Sequence, residues 1–114
     1  MTVTDLRDTV LGVTRDLSID NRTVAGAVAV DESAVKRWIT GASFPQHEKR
    51  ERLQALLDVR GYVLDTFDTA EAARSWMHAN NRYLSGLSPA DVLLAGRVDR
   101  VEAALTALDS GMFI

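Results

Sequence analysis

Apolar side chains recur every three or four residues along most of this chain, which is the spacing of one face of an α-helix. Leu6, Val10, Val13 and Leu17 follow this spacing and predict a helix over residues 5–17. Only two prolines interrupt the chain, and its dominant residues favour helices over strands. The sequence therefore predicts an all-α protein. Its further helices are expected over about residues 22–29, 32–40, 48–64, 72–77, 89–95 and 97–110.

Residues that favour helix ends mark several of these boundaries. The side-chain oxygens of Thr4, Asn21 and Asp68 can each accept a hydrogen bond from the unpaired amides at a helix start, so these residues are the predicted N-caps. Ser88 followed by Pro89 is a clearer start, because proline suits the first helical position, where no N–H is needed. Glycine adopts the left-handed conformation at little cost, and three glycines are predicted to end helices: Gly41, Gly96 and Gly111.

The composition is that of one soluble globular protein. The chain has 114 residues, of which 46% are hydrophobic and 25% charged, so it can bury a core but cannot hold two large catalytic domains. We expect one compact unit, or two helical sub-bundles that meet near residues 65–70. The predicted organisation is an N-terminal region over residues 1–66 and a smaller C-terminal region over residues 67–114.

Missing sequence features indicate where the protein acts. The chain has no cysteine, which excludes disulfides and thiolate metal sites and fits a reducing compartment. Residues 1–17 lack the basic start and apolar run of a signal peptide, and no apolar stretch approaches the roughly 20 residues of a membrane-spanning helix. We therefore expect a cytoplasmic protein that does not span a membrane.

Residues 23–41 resemble a helix-turn-helix motif. Two helices that cross at a steep angle need small residues where they come closest, and Ala25 and Gly26 are expected at that point. Trp38 is expected on the inward face of the second helix, in a core shared with the first. Ala29 stands where the turn of this motif often has glycine. The N-terminal region is therefore predicted to be a helix-turn-helix bundle.

If the second helix of this motif enters a major groove, a group of polar and basic side chains would face the DNA. They are Ser33, Lys36, Arg37, Lys49 and Arg50. Asp31 and Glu32 oppose this interpretation because they place negative charge at the helix start. The net charge of −3, from 13 basic and 16 acidic residues, opposes it too. Two interpretations stay open: binding of operator DNA, or a pair of packed helices that does not bind DNA.

The C-terminal region carries a fairly specific order of residues. It consists of Trp76, Asn81, Leu84, Gly86, Pro89, Asp91, Leu94 and Gly96, followed by a helix face of Val98, Val101, Leu105 and Leu108. This order resembles the toxin-binding domain of the Xre/MbcA/ParS-type antitoxins. Together with the helix-turn-helix, the resemblance covers about residues 21–114. It implies an all-α antitoxin with an N-terminal helix-turn-helix and a small helical toxin-binding region.

The resemblance also implies a partner and a set of contacts. In this family the antitoxin is encoded with a RES-domain toxin that consumes NAD, neutralises it by direct contact, and often represses its own operon. The segment that covers the toxin's substrate cleft would be Met112, Phe113 and Ile114, and the alternative is that these residues pack on the protein's own core. Three arginines are candidates for further toxin contacts, because a guanidinium group can pair with carboxylates or carbonyls: Arg82, Arg97 and Arg100.

No arrangement of catalytic residues is recognisable. The histidines His47 and His78 have no partner at metal-ligand spacing apart from the weak pair of His47 and Glu51. The chain has no phosphate-binding glycine loop, dinucleotide fingerprint or nucleophile elbow. We therefore expect a protein that is not an enzyme and that needs no metal or cofactor.

A free-standing helix-turn-helix transcription regulator with a C-terminal dimerisation domain is the alternative to an antitoxin. A homodimer is expected in both cases, because a single helix-turn-helix normally needs a two-fold mate to bind a pseudo-palindromic operator. The acidic balance of residues 61–114 favours the antitoxin.

Overall fold

The computed structural model describes residues 3–111, and these residues form helices joined by turns. The seven α-helices are α1 (Val3–Leu17), α2 (Asn21–Val28), α3 (Glu32–Thr40), α4 (His47–Thr66), α5 (Ala70–His78), α6 (Pro89–Leu94) and α7 (Val98–Asp109). A short 3₁₀ helix, Arg82–Leu84, lies between α5 and α6. Because the described part of the chain contains no strand, the all-α prediction is confirmed.

One cluster of buried apolar side chains joins all seven helices. The four apolar positions predicted for α1 are fully buried in it. The other helices contribute Val24, Val28, Val35, Trp38, Leu53, Leu56, Val63, Met77, Leu93, Val101 and Leu105, among others. The predicted division after residue 66 coincides with the end of α4, although helices from both sides share this core. The division itself stays a prediction.

Two helices have an N-cap that differs by one residue from the predicted one. Helix α2 is capped by Asp20, whose carboxylate accepts the Thr23 amide at 2.8 Å. Helix α5 is capped by Thr69, whose hydroxyl accepts the amide three residues ahead at 3.0 Å. A cap residue needs an extended backbone just before the first helical residue. Asn21 is already the first residue of α2, and Asp68 stands one residue too early.

Three other predicted helix ends have mixed outcomes. The start of α6 is confirmed: the Ser88 hydroxyl accepts the Asp91 amide at 3.1 Å, and the Asp91 carboxylate accepts the Ser88 amide at 3.2 Å. Gly41 ends α3 in the left-handed conformation with φ 82°, as predicted. Thr4 lies inside α1 and not before it, because α1 already includes Val3.

Helix α2 packs against α6 through its backbone. A Cβ placed on Gly26 would lie 2.1 Å from the carbonyl oxygen of Leu94, and one placed on Gly96 would lie 3.3 Å from the carbonyl oxygen of Gly26. The nearest atoms to Gly26 therefore belong to α6 and not to α3, which corrects its expected role at the crossing of α2 and α3. This close contact joins the helix-turn-helix to the C-terminal region.

Candidate functional site

The turn between α2 and α3, residues 29–31, is held by a side chain from α4. Ala29 adopts the left-handed conformation, with φ 63° and ψ 48°, which costs a residue other than glycine roughly 1 kcal/mol or more. The Lys49 ammonium group donates a hydrogen bond to the Ala29 carbonyl oxygen at 2.9 Å. A side chain predicted to contact DNA phosphates thus already binds the turn of the motif.

The other candidate DNA contacts differ in whether their side chains already form hydrogen bonds or ion pairs within the protein. The Lys36 ammonium lies 3.7 Å from the Glu32 carboxylate one helical turn earlier, and the Ser33 hydroxyl donates to the N-cap carboxylate of α3 at 2.9 Å. Arg37 and Arg50 are exposed and form no ion pair within residues 3–111. Within the predicted group Arg50 carries the least compensated positive charge, because the charge of Arg37 also acts on the Asp31 carboxylate and helps to lower its pKa.

Carboxylates cap the N-termini of both helices of the motif. Asp31 accepts the Ala34 amide at 2.8 Å, and this hydrogen bond holds the pKa of Asp31 below its usual 3.8. Asp20 accepts the Thr23 hydroxyl at 2.7 Å, and this hydrogen bond likewise lowers the pKa of Asp20. Both carboxyls are therefore ionised near neutral pH. A DNA phosphate that approached either helix end would meet a negative charge.

Replacing Asp31 by asparagine should make the stability of the protein less sensitive to acid. The pKa of Asp31 is lower in the folded state than in the unfolded chain, where it is about 3.9. The ionised carboxylate therefore stabilises the fold when the pH is above the unfolded pKa. This stabilisation is lost as the pH falls through the folded pKa. Asparagine keeps a cap oxygen but does not titrate. Between about pH 5 and about pH 2, the melting temperature of Asp31→Asn should therefore fall less steeply than that of the wild type.

The matched control for this variant is Asp65→Asn, which removes a carboxylate that is exposed on α4 and caps no helix. Asp65→Asn should follow the wild-type curve more closely. An equal flattening of the curve in both variants would contradict the role assigned to the Asp31 cap.

Asn81 closes the loop between α5 and α6. Its side-chain oxygen accepts the Tyr83 amide at 2.9 Å, its carbonyl oxygen accepts the Gly86 amide at 2.9 Å, and its amide donates to the Leu87 carbonyl oxygen at 3.0 Å. Ser85 and Gly86 both adopt the left-handed conformation, with φ 60° and 87°, so the chain reverses within a few residues. The loop is therefore fixed by hydrogen bonds to its own backbone.

The three arginines predicted to contact a toxin lie around this loop and the start of α7. Arg97 forms a bidentate ion pair with Asp99, with nitrogen–oxygen distances of 3.0 and 2.9 Å. The hydrogen bonds from Arg97 lower the pKa of Asp99. The Arg100 guanidinium carbon lies 5.9 Å from the centroid of the Tyr83 ring, a cation–π distance. Arg82 is exposed in the 3₁₀ helix and has no ion pair in the described part of the chain. Tyr83 thus links the loop of Arg82 to the helix of Arg100.

A groove of about 360 Å³ runs beside these arginines, between the 3₁₀ helix and α7. It is lined by Tyr83, Asp99, Glu102, Ala103, Thr106, Ala107 and Ser110. The Tyr62 hydroxyl of α4 donates to the Asp109 carboxylate at 2.7 Å and ties α4 to the end of α7. The sequence does not reveal this groove, because its lining side chains follow no spacing that marks a binding site.

The apolar segment predicted to cover a toxin cleft, Met112, Phe113 and Ile114, lies outside the described residues. Helix α7 ends at Asp109, and Gly111 follows in the left-handed conformation with φ 74°, as predicted for a helix end. Ser110, which lies between α7 and Gly111, lines the groove described above.

His47 makes a contact within its own helix, and His78 makes a contact with the end of α1. The imidazole of His47 lies 3.0 Å from the Glu51 carboxylate, and Nε2 of His78 is hydrogen-bonded to the Ser18 carbonyl oxygen at 2.7 Å. Within residues 3–111, no three side chains of histidine, aspartate or glutamate are grouped so that they could hold a metal ion. Over the same range, no helix has both the length and the apolar character needed to cross a membrane.

Comparison with known sequences supports an antitoxin. Residues 63–111 match the family described as the antitoxin Xre/MbcA/ParS C-terminal toxin-binding domain. The mycobacterial cidal antitoxins MbcA of Mycobacterium tuberculosis and Mycobacterium bovis are each 31% identical over 114 residues, which is 100% of both chains. A probable mycobacterial cidal antitoxin of M. tuberculosis is 33% identical over 91 residues, which is 80% of this chain and 76% of that protein.

Comparison of the fold with solved structures also supports an antitoxin. A chain in the crystal structure of the M. tuberculosis MbcT–MbcA toxin–antitoxin complex matches with a TM-score of 0.66 and 30% identity, over 96% of this chain and 97% of that chain. The similarity thus extends through the helix-turn-helix as well as the C-terminal region, and it confirms the resemblance drawn from the residues between Trp76 and Gly96. The chain belongs to the Xre/MbcA/ParS family and is an antitoxin of a toxin–antitoxin system.

Proposed function

We propose that this antitoxin neutralises a RES-domain toxin that degrades NAD, by binding it directly and covering its NAD cleft with the C-terminal segment. It acts in the cytoplasm, by binding and not by catalysis, as a homodimer within a larger complex. The observation that carries the proposal is the full-length similarity to MbcA, whose crystal structure is a complex with the toxin MbcT. The match of residues 63–111 to a toxin-binding domain supports a contact surface in the C-terminal region.

The charges around the 3₁₀ helix and α7 support the proposed contact surface. Arg82 and Arg100 have no carboxylate partner within residues 3–111, so their guanidinium groups are available to carboxylates or carbonyls of a toxin. Arg97 contributes less, because Asp99 already neutralises it. Three large apolar residues at 112–114 would gain free energy by leaving water in the toxin cleft.

The first experiment is co-purification of this antitoxin with the product of the neighbouring open reading frame, followed by an NAD-consumption assay. The full chain should form a stable complex and stop NAD loss. A variant that ends at Gly111 should keep its helical circular dichroism spectrum, because residues 3–111 contain the whole described core, but should fail to protect NAD. A matched variant with residues 112–114 replaced by three serines separates the loss of apolar surface from the loss of chain length.

Two results would contradict the proposal at different points. A neighbouring protein that neither binds this chain nor consumes NAD would refute the RES-domain partner. Full neutralisation by the variant that ends at Gly111 would refute only the role of Met112, Phe113 and Ile114, and would leave the arginine surface as the site.

We also propose that the antitoxin represses its own operon through α3. The observation in favour is that Arg37 on α3 and Arg50 near the start of α4 are exposed and form no ion pair in the described part of the chain. Two such arginines are well suited to phosphate contacts. Lys36 can join them, because its ion pair with Glu32 is long, at 3.7 Å, and exposed, whereas Lys49 already binds the Ala29 carbonyl.

Changing Lys36 and Arg37 together to alanine should abolish binding to a fragment of the antitoxin's own promoter while toxin neutralisation persists. The wild-type affinity should fall steeply as salt increases, since phosphate contacts release counterions. The control replaces two exposed arginines on other helices, Arg15 of α1 and Arg74 of α5, which removes the same formal charge. Promoter binding retained by the Lys36 and Arg37 variant in a gel-shift assay would remove both residues from the proposed DNA contact.

A further inference from the structure

Leu87 is the most exposed large apolar side chain among the described residues, with 52% of its surface open to solvent. Its backbone is nevertheless fixed. The Leu87 amide donates to the Leu84 carbonyl oxygen at 3.2 Å, and the Leu87 carbonyl oxygen accepts the Asn81 amide at 3.0 Å. The next residue, Ser88, is buried and caps α6. The loop therefore presents this leucine to solvent from a rigid support.

Positive charge that is not neutralised within the described residues lies beside this leucine. The hydrogen bond between Asn81 and Leu87 places Leu87 next to the start of the 3₁₀ helix, where Arg82 is exposed. Arg100 reaches the same helix from α7 by stacking on Tyr83. Arg82 and Arg100 form no ion pair within residues 3–111. One apolar side chain and two cations thus lie around the same loop and 3₁₀ helix of the C-terminal region.

We propose that Leu87 is an apolar anchor of the toxin-binding surface: it enters an apolar pocket of the toxin whose rim carries carboxylates facing Arg82 and Arg100. This inference rests on the proposed function and adds a binding residue to it. A protein interface commonly combines apolar and polar contacts, and this loop offers an exposed leucine together with two nearby arginines. Because the loop is already held by its own hydrogen bonds, little conformational entropy is lost when it binds.

Other exposed apolar side chains lack this combination of features. Leu11 on α1 and Phe44 before α4 are 45% and 47% exposed, but both lie outside residues 63–111, which match the toxin-binding domain. Leu64 lies within that range and is 37% exposed, but it belongs to α4 and not to the loop of Arg82. Leu11 and Leu64 are therefore suitable control positions.

The test measures the dissociation constant of the full-length antitoxin for its purified toxin. Leu87→Ala should raise the dissociation constant by about fivefold, since the exposed half of the leucine side chain would leave water when the toxin binds. Leu87→Asp should raise it further. The controls Leu11→Ala and Leu64→Ala should change it by less than about threefold. All variants should keep the wild-type circular dichroism spectrum, because each changed side chain is exposed.

Salt separates the anchor from the charges. The effect of Arg82→Ala should shrink as salt increases, because ions screen exposed charge pairs, whereas the effect of Leu87→Ala should persist. A Leu87→Ala variant that binds the toxin as tightly as the wild type would overturn the inference and leave the proposed function intact. No binding by the wild-type chain would overturn both.

Discussion

Replacing Gly26 by alanine is expected to lower the free energy of unfolding by roughly 3 kcal/mol. The added Cβ would lie 2.1 Å from the Leu94 carbonyl oxygen and 2.8 Å from its carbonyl carbon. Backbone atoms cannot rotate away as the end of a flexible side chain can. The two helices α2 and α6 must therefore move apart, and the buried contacts between them are then lost.

Gly61→Ala is the matched control for this prediction. Gly61 lies inside α4, and apart from its chain neighbours and the backbone of its own helix no described atom lies within 4 Å of a Cβ placed there. Alanine in a helix interior is favoured over glycine by about 0.5–1 kcal/mol, so this variant should gain stability. Urea unfolding followed by circular dichroism measures both variants. If Gly26→Ala unfolds at the wild-type urea concentration, the close approach of α2 to α6 is wrong.

Trp38→Ala is expected to cost about 3–5 kcal/mol, the range for removing a large aromatic side chain from a packed core. Trp38 is only 3% exposed and is part of the core where α3 packs on α1 and α2. Its removal would leave a cavity that three helices can fill only by moving. Urea unfolding gives the magnitude, and the fluorescence of the remaining tryptophan reports the same transition.

Trp76→Ala makes the same substitution at a tryptophan that is less buried than Trp38. Trp76 is half-buried and packs against Phe67, with ring centroids 5.7 Å apart and an interplanar angle of 39°. Its loss should cost clearly less than that of Trp38, because water can occupy part of the space that it leaves. Equal losses in the two variants would mean that burial does not distinguish the two tryptophans.

Much of the fold follows from spacing in the sequence alone. The apolar positions of α1 occur at helical intervals and are buried, and Ser88 with Pro89 starts α6 as predicted. The caps of α2 and α5 were displaced by one residue, because neighbouring residues offer similar side-chain oxygens and only the backbone conformation decides between them. The role of Gly26 could not be predicted, since a small residue indicates a close approach without indicating which helix approaches.

Less of the candidate site could be predicted, because its contacts join residues that are far apart in the sequence. Counting basic residues identifies a positive stretch, but the hydrogen bond of Lys49 to Ala29 joins residues 20 positions apart and depends on the folded path of the chain. The predicted helices over residues 72–77 and 89–95 leave Leu87 in the loop between them. Its exposure could not be inferred from the sequence, because a leucine in a loop can point into the core or into solvent. The folded path of the chain decides which.

The backbone contact between Gly26 and Leu94 makes independent opening of the two halves of this antitoxin costly. Amide hydrogens of α2 and α6 should exchange with solvent as one cooperative unit. A toxin that binds only the folded C-terminal region then protects α3 as well, because any partner of the native state adds its binding free energy to the whole unit. A cellular protease that needs a locally unfolded stretch of the helix-turn-helix would therefore degrade the solitary antitoxin faster than the toxin-bound form.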